Sequence, residues 1–290
     1  MLSLKEISLR KGKRTYLDEV SFTAEAGRIT AIVGTRSAGR TELVRVIMGL
    51  ITPDEGTVEL EGFELEYGDR QNFGYLPGER GGYPNMRVID QIVYLARLHG
   101  ITLGAAERNA LTLLSRLDLA DRGYAPLKNL SGAEIARVDI AATLAADPDV
   151  VVIDDAFSGL DAKSTELVMS LLRAHAASGV PVILATDDWE AAEKHADDIV
   201  ALNQGKVTAA GSVDDLLGEH RYRVALADAE AAAKSLTGRS GITEIEVIDT
   251  VITFRANDPG SAAATVARLE RVESFERVRP TLAEKYKETL

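Results

Sequence analysis

An apolar pentad, Ile29-Thr30-Ala31-Ile32-Val33, runs directly into Gly34-Thr35-Arg36-Ser37-Ala38-Gly39-Arg40-Thr41, and this juncture constrains the fold more than any other stretch. Beyond it Leu43, Val46, Ile47 and Leu50 recur at helical spacing. The glycine loop therefore joins a strand to a helix. Its spacing is that of a phosphate loop, in which glycines let backbone N–H groups turn inward and the helix N-terminus adds partial positive charge. The lysine of that pattern is absent, and Arg40 stands in its place, longer, planar and forked where lysine is a compact point charge. A glycine-rich turn that binds nothing is the competing reading, and the segment alone does not choose.

Short strands precede the loop: the Leu2, Leu4 alternation and residues 20–24. Pro53, Asp54, Glu55 and Gly56 close the following helix with turn chemistry. Residues 88–119, rich in Leu, Ala and Arg at helical spacing, predict an insertion of two or three helices. Strand and crossover then alternate: a buried strand at 150–154, a helix at about 162–177, a strand at 180–185 and a helix at about 189–195. Such alternation implies a largely parallel sheet. Near Gly218 the pattern changes. A strand at 221–226, a helix at 227–236, paired strands at 244–248 and 251–255, a helix at 260–269 and a final amphipathic helix at 281–290 predict a small α+β domain. Val266, Leu269 and Val272 recur every third position as a core stripe, with a contact between two such tails as the alternative.

Two further segments bear on chemistry. Val150-Val151-Val152-Ile153-Asp154-Asp155 is an apolar strand ending in two acids, and a parallel strand delivers its carboxyl end to the ligand crevice. There one carboxylate can hold Mg²⁺ and the next can orient or deprotonate water. An acidic strand end facing solvent is the bland alternative, weakened by Phe157-Ser158-Gly159-Leu160-Asp161 immediately after it. In Leu130-Ser131-Gly132-Ala133-Glu134, Ser131 reads as the cap of a helix running through Leu144. The same helix end could hold a phosphate presented by a facing subunit.

The order of these pieces, closed by Val182-Ile183-Leu184-Ala185-Thr186-Asp187-Asp188, resembles the ATP-binding cassette ATPases of ABC transporters from Leu2 to about Gly218. The tail resembles the C-terminal extension of some ABC-2 type exporter cassettes, with Arg279-Pro280-Thr281-Leu282-Ala283-Glu284-Lys285 as its closing element. Tyr75-Leu76-Pro77-Gly78-Glu79-Arg80-Gly81-Gly82-Tyr83-Pro84 is similar to the loop of that subgroup joining the core to the helical insertion. The resemblance implies an α/β, phosphate-loop ABC ATPase core with a mostly parallel sheet and an N-terminal antiparallel part. It places a nucleotide-binding domain at 1–218, a helical insertion at about 86–145 and the accessory domain at 219–290. ATP and Mg²⁺ are the implied cofactors. Gly34, Thr35, Arg36, Ser37, Ala38, Gly39, Arg40, Thr41 and Glu42 would surround the phosphates, and Thr41, Asp154 and the position of Gly78 would meet the metal. Lys11, or Tyr16 with a shifted alignment, would lie under adenine. Ser131, Gly132, Ala133 and Asp161 would face a partner cassette's nucleotide, and Asp155 and Asp187 take the catalytic positions. The implied partners are a membrane permease, received at 78–86 and on the helical insertion through a contact more hydrophobic than electrostatic, and a second cassette, identical or different. The implied location is peripheral, at the cytoplasmic face of the cell membrane.

Five departures converge on one ligand. Arg40 replaces the loop lysine. Gly78 falls where a side chain senses Mg²⁺ and the attacking water. Asp155 replaces a glutamate, pulling the carboxylate back by about an ångström, a misplacement that can cost about 10²-fold in rate. The stacking aromatic is displaced, and Asp187 replaces the switch histidine. Asp187 accepts where a histidine would donate, and carries the sign of the phosphate it would meet. Two like charges about 4 Å apart at an effective dielectric of about 20 repel by roughly 4 kcal/mol. An Arg–carboxylate fork from Asp187 to Arg40 or Arg36 would relieve that repulsion. Ala133 replaces the second signature glycine, a modest change.

These substitutions predict a site that binds nucleotide weakly or holds it without turnover, beside a competent cassette completed by Ser131 and Gly132. The rivals are a slow but genuine homodimeric ATPase, a regulatory or scaffolding protein, and a cassette acting on nucleic acid or ribosomes. The last sits poorly with a net charge of −12 and no heptad array, so no nucleic-acid partner is expected. Absence of cysteine removes disulfides, cysteine-ligated zinc and thiol nucleophiles. The basic, broken N-terminal stretch is not a secretory signal, and no run of about 18 apolar residues would span a membrane. His99, His175, His195 and His220 lack metal-like spacing, and Trp189 reads as a packing anchor.

Overall fold

The computed structural model describes residues 1–79, 81–218, 220–257, 259–278 and 281–286. The closing element expected at Arg279 and Pro280, Arg80 of the joining loop and residues 287–290 of the last helix lie outside the described residues. The chain forms two compact units, one ending at Val213 and the next beginning at Asp214.

In the first unit β1 (Leu2–Lys11) and β2 (Arg14–Ala24) pair antiparallel through the turn at Gly12. Then come β3 (Ile29–Val33), α1 (Arg40–Ile47), β4 (Glu55–Leu60), β5 (Phe63–Glu64) and β6 (Phe73–Leu76). The helical region contains α2 (Val88–Leu98), α3 (Leu103–Arg116) and α4 (Gly132–Leu144). After it follow β7 (Val150–Asp154), α5 (Ala162–Ala176), β8 (Val182–Thr186), α6 (Trp189–His195), β9 (Asp198–Asn203) and β10 (Lys206–Ser212). A six-stranded sheet has the order β10-β9-β3-β8-β7-β6, parallel except at the β10 edge. Every residue of β3, β7 and β8 is buried, as expected for parallel strands covered on both faces. A four-stranded antiparallel sheet, β2-β1-β4-β5, packs its apolar face into the same core: Leu2, Ile7 and Leu17 meet Leu43 and Ile47 of α1 and Val150, Val152 and Ile183 of the parallel sheet.

The second unit follows α7 (Val213–Leu217), which crosses the junction. It contains β11 (His220–Leu226), α8 (Ala229–Leu236), β12 (Ile242–Ile248), β13 (Val251–Ala256), α9 (Pro259–Val266), β14 (Val272–Val278) and α10 (Leu282–Tyr286). Its antiparallel sheet runs β12-β13-β11-β14. Alternating Tyr222, Val224 and Leu226 of β11 and Ile252 and Phe254 of β13 point to one face, where they pack with Leu236 of α8 and Val266 of α9. Tyr222 stacks on Phe254 at 5.7 Å between ring centroids.

Several expectations are corrected. Glu55 and Gly56 do not close a helix but open β4, where Gly56 at φ +90° passes against the backbone of Lys5 and Glu6. The strand expected at 180–185 begins at Val182 and includes Thr186, because the turn around Gly179 and Pro181 intervenes. The first unit ends at Val213, five residues before the boundary expected at 218. The three-residue stripe breaks: α9 ends at Val266, and Val272 opens β14, although all three residues still pack on the tail core. A period of three across a turn mimicked a helix.

Candidate functional site

β3 lies between β8 and β9, so its carboxyl end emerges inside the sheet, where a parallel fold opens its ligand crevice. Gly34 begins the loop there. A Cβ at Gly34 would lie 2.4 Å from the Leu202 carbonyl oxygen, and one at Gly39, φ +100°, would lie 2.6 Å from that of Tyr16. Only glycine fits at either place. Within the loop the Ala38 N–H donates to the Thr35 carbonyl at 3.0 Å, and the Gly205 N–H donates to the Ala38 carbonyl at 2.9 Å. Gly205 in turn accepts from the Asp18 N–H at 2.9 Å. Helix α1 starts at Arg40 with Gly39 as its N-cap, and no side chain caps it. Its first N–H groups are thereby left toward the loop, a local dipole suited to an anion.

Arg40 is only 6% exposed, and its Nε and Nη1 have no hydrogen-bond partner. Its Nη2 lies 3.7 Å from Asp187 Oδ2, and Arg36 Nε lies 3.9 Å from the same oxygen. The sequence-based expectation of an Arg–carboxylate fork is therefore corrected: one oxygen sits between two guanidinium groups, beyond hydrogen-bonding distance of both. Asp187 itself is half exposed. It follows β8, paired in parallel with β3 at Val33 and Thr186, so it stands beside Gly34.

At the end of neighbouring β7, Asp154 is buried, and burial pushes its carboxyl above the usual range despite a hydrogen bond donated by the Thr41 hydroxyl. The adjacent Asp155 charge pushes the same way, and Arg40 opposes it. Asp155 is held at φ +56°, a left-handed conformation that aspartate tolerates better than most residues. Gly78, two residues beyond β6, sits against both acids: a Cβ there would be 3.4 Å from Asp155 Cβ and 3.8 Å from the Asp154 carboxylate. The position expected to meet the metal thus lies beside both acids, with no side chain to offer as a ligand. Thr41 and Asp154 nonetheless present two hard oxygens side by side on a desolvated carboxylate that a divalent cation would relieve. Mg²⁺, which keeps several waters and binds through few protein oxygens, fits that pair.

The two candidates for the adenine platform separate. Lys11 is exposed at the end of β1, whereas Tyr16 is half buried on the core and its backbone abuts Gly39. The Arg14 guanidinium covers the Tyr16 ring at 4.6 Å from its centroid. Sequence reading missed this stack, although i and i+2 on one strand share a face.

Ser131 caps α4 in a reciprocal box. Its backbone N–H donates to Glu134 Oε2 at 2.8 Å, its hydroxyl donates to the same oxygen at 2.9 Å, and its Oγ accepts from the Glu134 N–H at 3.3 Å. Those bonds, led by the backbone one and helped by Arg122, hold the Glu134 carboxyl below its usual range. Ser131 and Gly132 are exposed, and nothing crowds Gly132 within 4 Å. Asp161 caps α5 by accepting from the Ser164 N–H at 2.7 Å. Between these caps and the acids, Phe157 packs against the buried His195 ring at 5.9 Å, a contact with no sequence signal. Burial lowers the His195 pKa. His99 and His175 meet the carbonyls of Gln71 and Pro148 at 2.9 and 3.2 Å.

A cleft of about 640 Å³ opens between α2 and α3, where Val93, Leu98, Leu103, Leu111 and Tyr124 stand beside Arg87, Asp90, Arg97 and Glu107. Its lining mixes charge with apolar surface. No described helix is long and apolar enough to cross a membrane.

A parallel sheet, a glycine loop entering a helix at its carboxyl edge, and acids at the end of β7, with β8 between β7 and β3, define a phosphate-loop α/β domain. The family model described as ABC transporter matches residues 17–158. The daunorubicin resistance ATP-binding protein DrrA3 of Streptomyces coeruleorubidus is 32% identical over 248 residues, covering 81% of this chain and 77% of that protein. The Nod factor export ATP-binding protein I of Ralstonia nicotianae is 29% identical, covering 75% and 68%. A solved structure of an ATP-binding subunit of an ABC transporter superposes with a TM-score of 0.68 at 26% identity, over 74% of this chain and 91% of that one. This chain belongs to the ABC transporter ATP-binding family.

Proposed function

We propose that the chain is the nucleotide-binding subunit of an ABC exporter, holding adenine nucleotide at the 34–42 loop without turning it over at a rate that drives transport. The observation that carries this reading is Arg40: a buried guanidinium beside a rigid glycine cradle, with two nitrogens lacking any acceptor. Burying unsatisfied donors of a cation is costly, and a phosphate oxygen is the acceptor their position suits. Thr41 and Asp154 would hold Mg²⁺, which when bound neutralises phosphate charge. Tyr16, with Arg14 above it, is the better support for the adenine ring.

Turnover is disfavoured by this chain's own residues. Asp155 is the group at hand to accept a proton from water. Gly78 supplies nothing to orient that water, and Asp187 brings negative charge to the mouth of the loop. The export assignment leans on the two relatives' names and on a match to DrrA3 spanning four-fifths of the chain, too much to be confined to the first unit. The cleft between α2 and α3 is the surface on which a permease would seat, which would place the chain peripherally at the cytoplasmic face. The exposed Ser131–Gly132 end would complete a second, competent cassette's site once Glu134 releases Ser131; two copies of this chain would leave both sites impaired. The tail, about residues 219–290, is read as an accessory domain.

Single-turnover hydrolysis of ATP by the isolated chain tests this. Stoichiometric binding with negligible product is expected, and a rate equal to that of an ordinary cassette, abolished by Asp155→Asn, would overturn it. A second reading, a slow homodimeric ATPase, is favoured by the intact Thr41–Asp154 pair and predicts Mg²⁺-dependent product that rises with the square of protein concentration.

A further inference from the structure

The parallel register of β3 and β8 places the first residue after each strand side by side: Gly34 opens the loop, and Asp187 stands next to it. One oxygen of Asp187 lies 3.7 Å from Arg40 Nη2 and 3.9 Å from Arg36 Nε. At those distances it attracts both cations without consuming a donor from either. The Arg40 Nε and Nη1 donors stay unspent in a residue 6% exposed. The cradle therefore holds one buried guanidinium, Arg40, with the Asp187 carboxylate and the solvent-exposed Arg36 guanidinium at its mouth.

An incoming phosphate chain must share this space. Two phosphoryl groups can take the loop N–H groups and the free edge of Arg40. A third would arrive beside Asp187, on the side of the guanidinium groups that the carboxylate already faces, and would be repelled by its like charge. From this geometry we infer that the site prefers nucleoside diphosphates to triphosphates, and that Asp187 is the residue that sets the preference by standing in for a terminal phosphate. The inference rests on the reading above that the loop binds nucleotide phosphates. Because Asp187 is half exposed, salt screens part of the repulsion, and the preference weakens as ionic strength rises.

The test is titration calorimetry of the full chain with ADP and with the β,γ-imido analogue of ATP, each with Mg²⁺, and with pyrophosphate and tripolyphosphate as base-free probes. The wild-type chain is expected to bind the diphosphate member of each pair at least tenfold more tightly. Asp187→Asn, nearly isosteric, and Asp187→Ser should bring each ratio within threefold, chiefly by tightening the triphosphate. A wild-type ratio within threefold, or a tenfold ratio that survives in both variants, overturns the inference while leaving phosphate binding at the loop intact. Failure of the wild-type chain to bind any of the four probes overturns the proposed function and this inference together.

Discussion

Arg40→Met is a perturbation in which function and stability should move in opposite directions. Methionine keeps much of the length and apolar body of arginine but removes a guanidinium that is 7% exposed and leaves Nε and Nη1 without acceptors. Each buried, unsatisfied donor costs about 1–3 kcal/mol. Against that stand the lost attractions of Arg40 to Asp187, weak at 3.7 Å with a half-exposed partner, and to Asp154, whose carboxyl is already pushed up by burial and can take up a proton more readily. The net expectation is a gain of about 1–2 kcal/mol for the ligand-free first unit, which in a unit of this size raises Tm by roughly 2–8 °C. Thermal unfolding followed by circular dichroism, with and without millimolar pyrophosphate, reads both effects. Pyrophosphate should stabilise the wild-type chain and leave Arg40→Met unmoved. A variant that melts below wild type, or that is still stabilised by pyrophosphate, would refute the view that this arginine is kept at an energetic cost for an anion.

Three further outcomes are expected. Gly34→Ala, which sets a methyl 2.4 Å from the Leu202 carbonyl, should destabilise the first unit by about 3 kcal/mol and abolish phosphate binding, seen as a lower urea midpoint and a flat titration. Asp154 has a folded-state pKa raised by burial, so its protonated form favours the fold at low pH. That contribution is lost as pH climbs from the ordinary carboxylate range through the raised value. Asp154→Asn should therefore be more stable than wild type at neutral pH and lose the advantage below about pH 4, in unfolding curves collected across pH without Mg²⁺. Ser131→Ala, which removes the cap of α4, should cost about 1 kcal/mol and speed amide exchange in the first turn of that helix, leaving phosphate binding at the chain's own loop unchanged.

The elements most legible in the sequence were those whose apolar run ends in chemistry: β3 into the glycine loop, β7 into Asp154 and Asp155, β8 into Asp187. Each strand is apolar throughout because it is covered on both faces, so the run itself carries the signal. β4, β6, β9, β10 and β14 escaped notice. β10 alternates half-buried and exposed residues around Ala209, Ala210 and Gly211, and the mostly exposed β14 has Glu273, Ser274 and Glu276 breaking its pattern. Candidate site residues could be named one by one, but strand order could not. Nothing local says that β8 rather than β7 lies beside β3, and only that neighbour relation brings Asp187 to Arg36 and Arg40. The unspent donors of Arg40 were equally out of reach, since burial of an arginine is set by what distant segments pack over it. The doubled cap at Ser131 and Glu134, by contrast, is a four-residue pattern that could have been read from Ser131 to Glu134 directly.

The bracing of the glycine loop by Gly205 and Leu202, and of Gly205 by Asp18, has a kinetic consequence. A cradle pinned from the hairpin between β9 and β10 and from β2 has its backbone torsions set before any guest arrives, so capture needs no loop ordering and little entropy is surrendered on contact. Association should then run close to the rate of collision, and residence time should be governed by how long the guanidinium groups hold on.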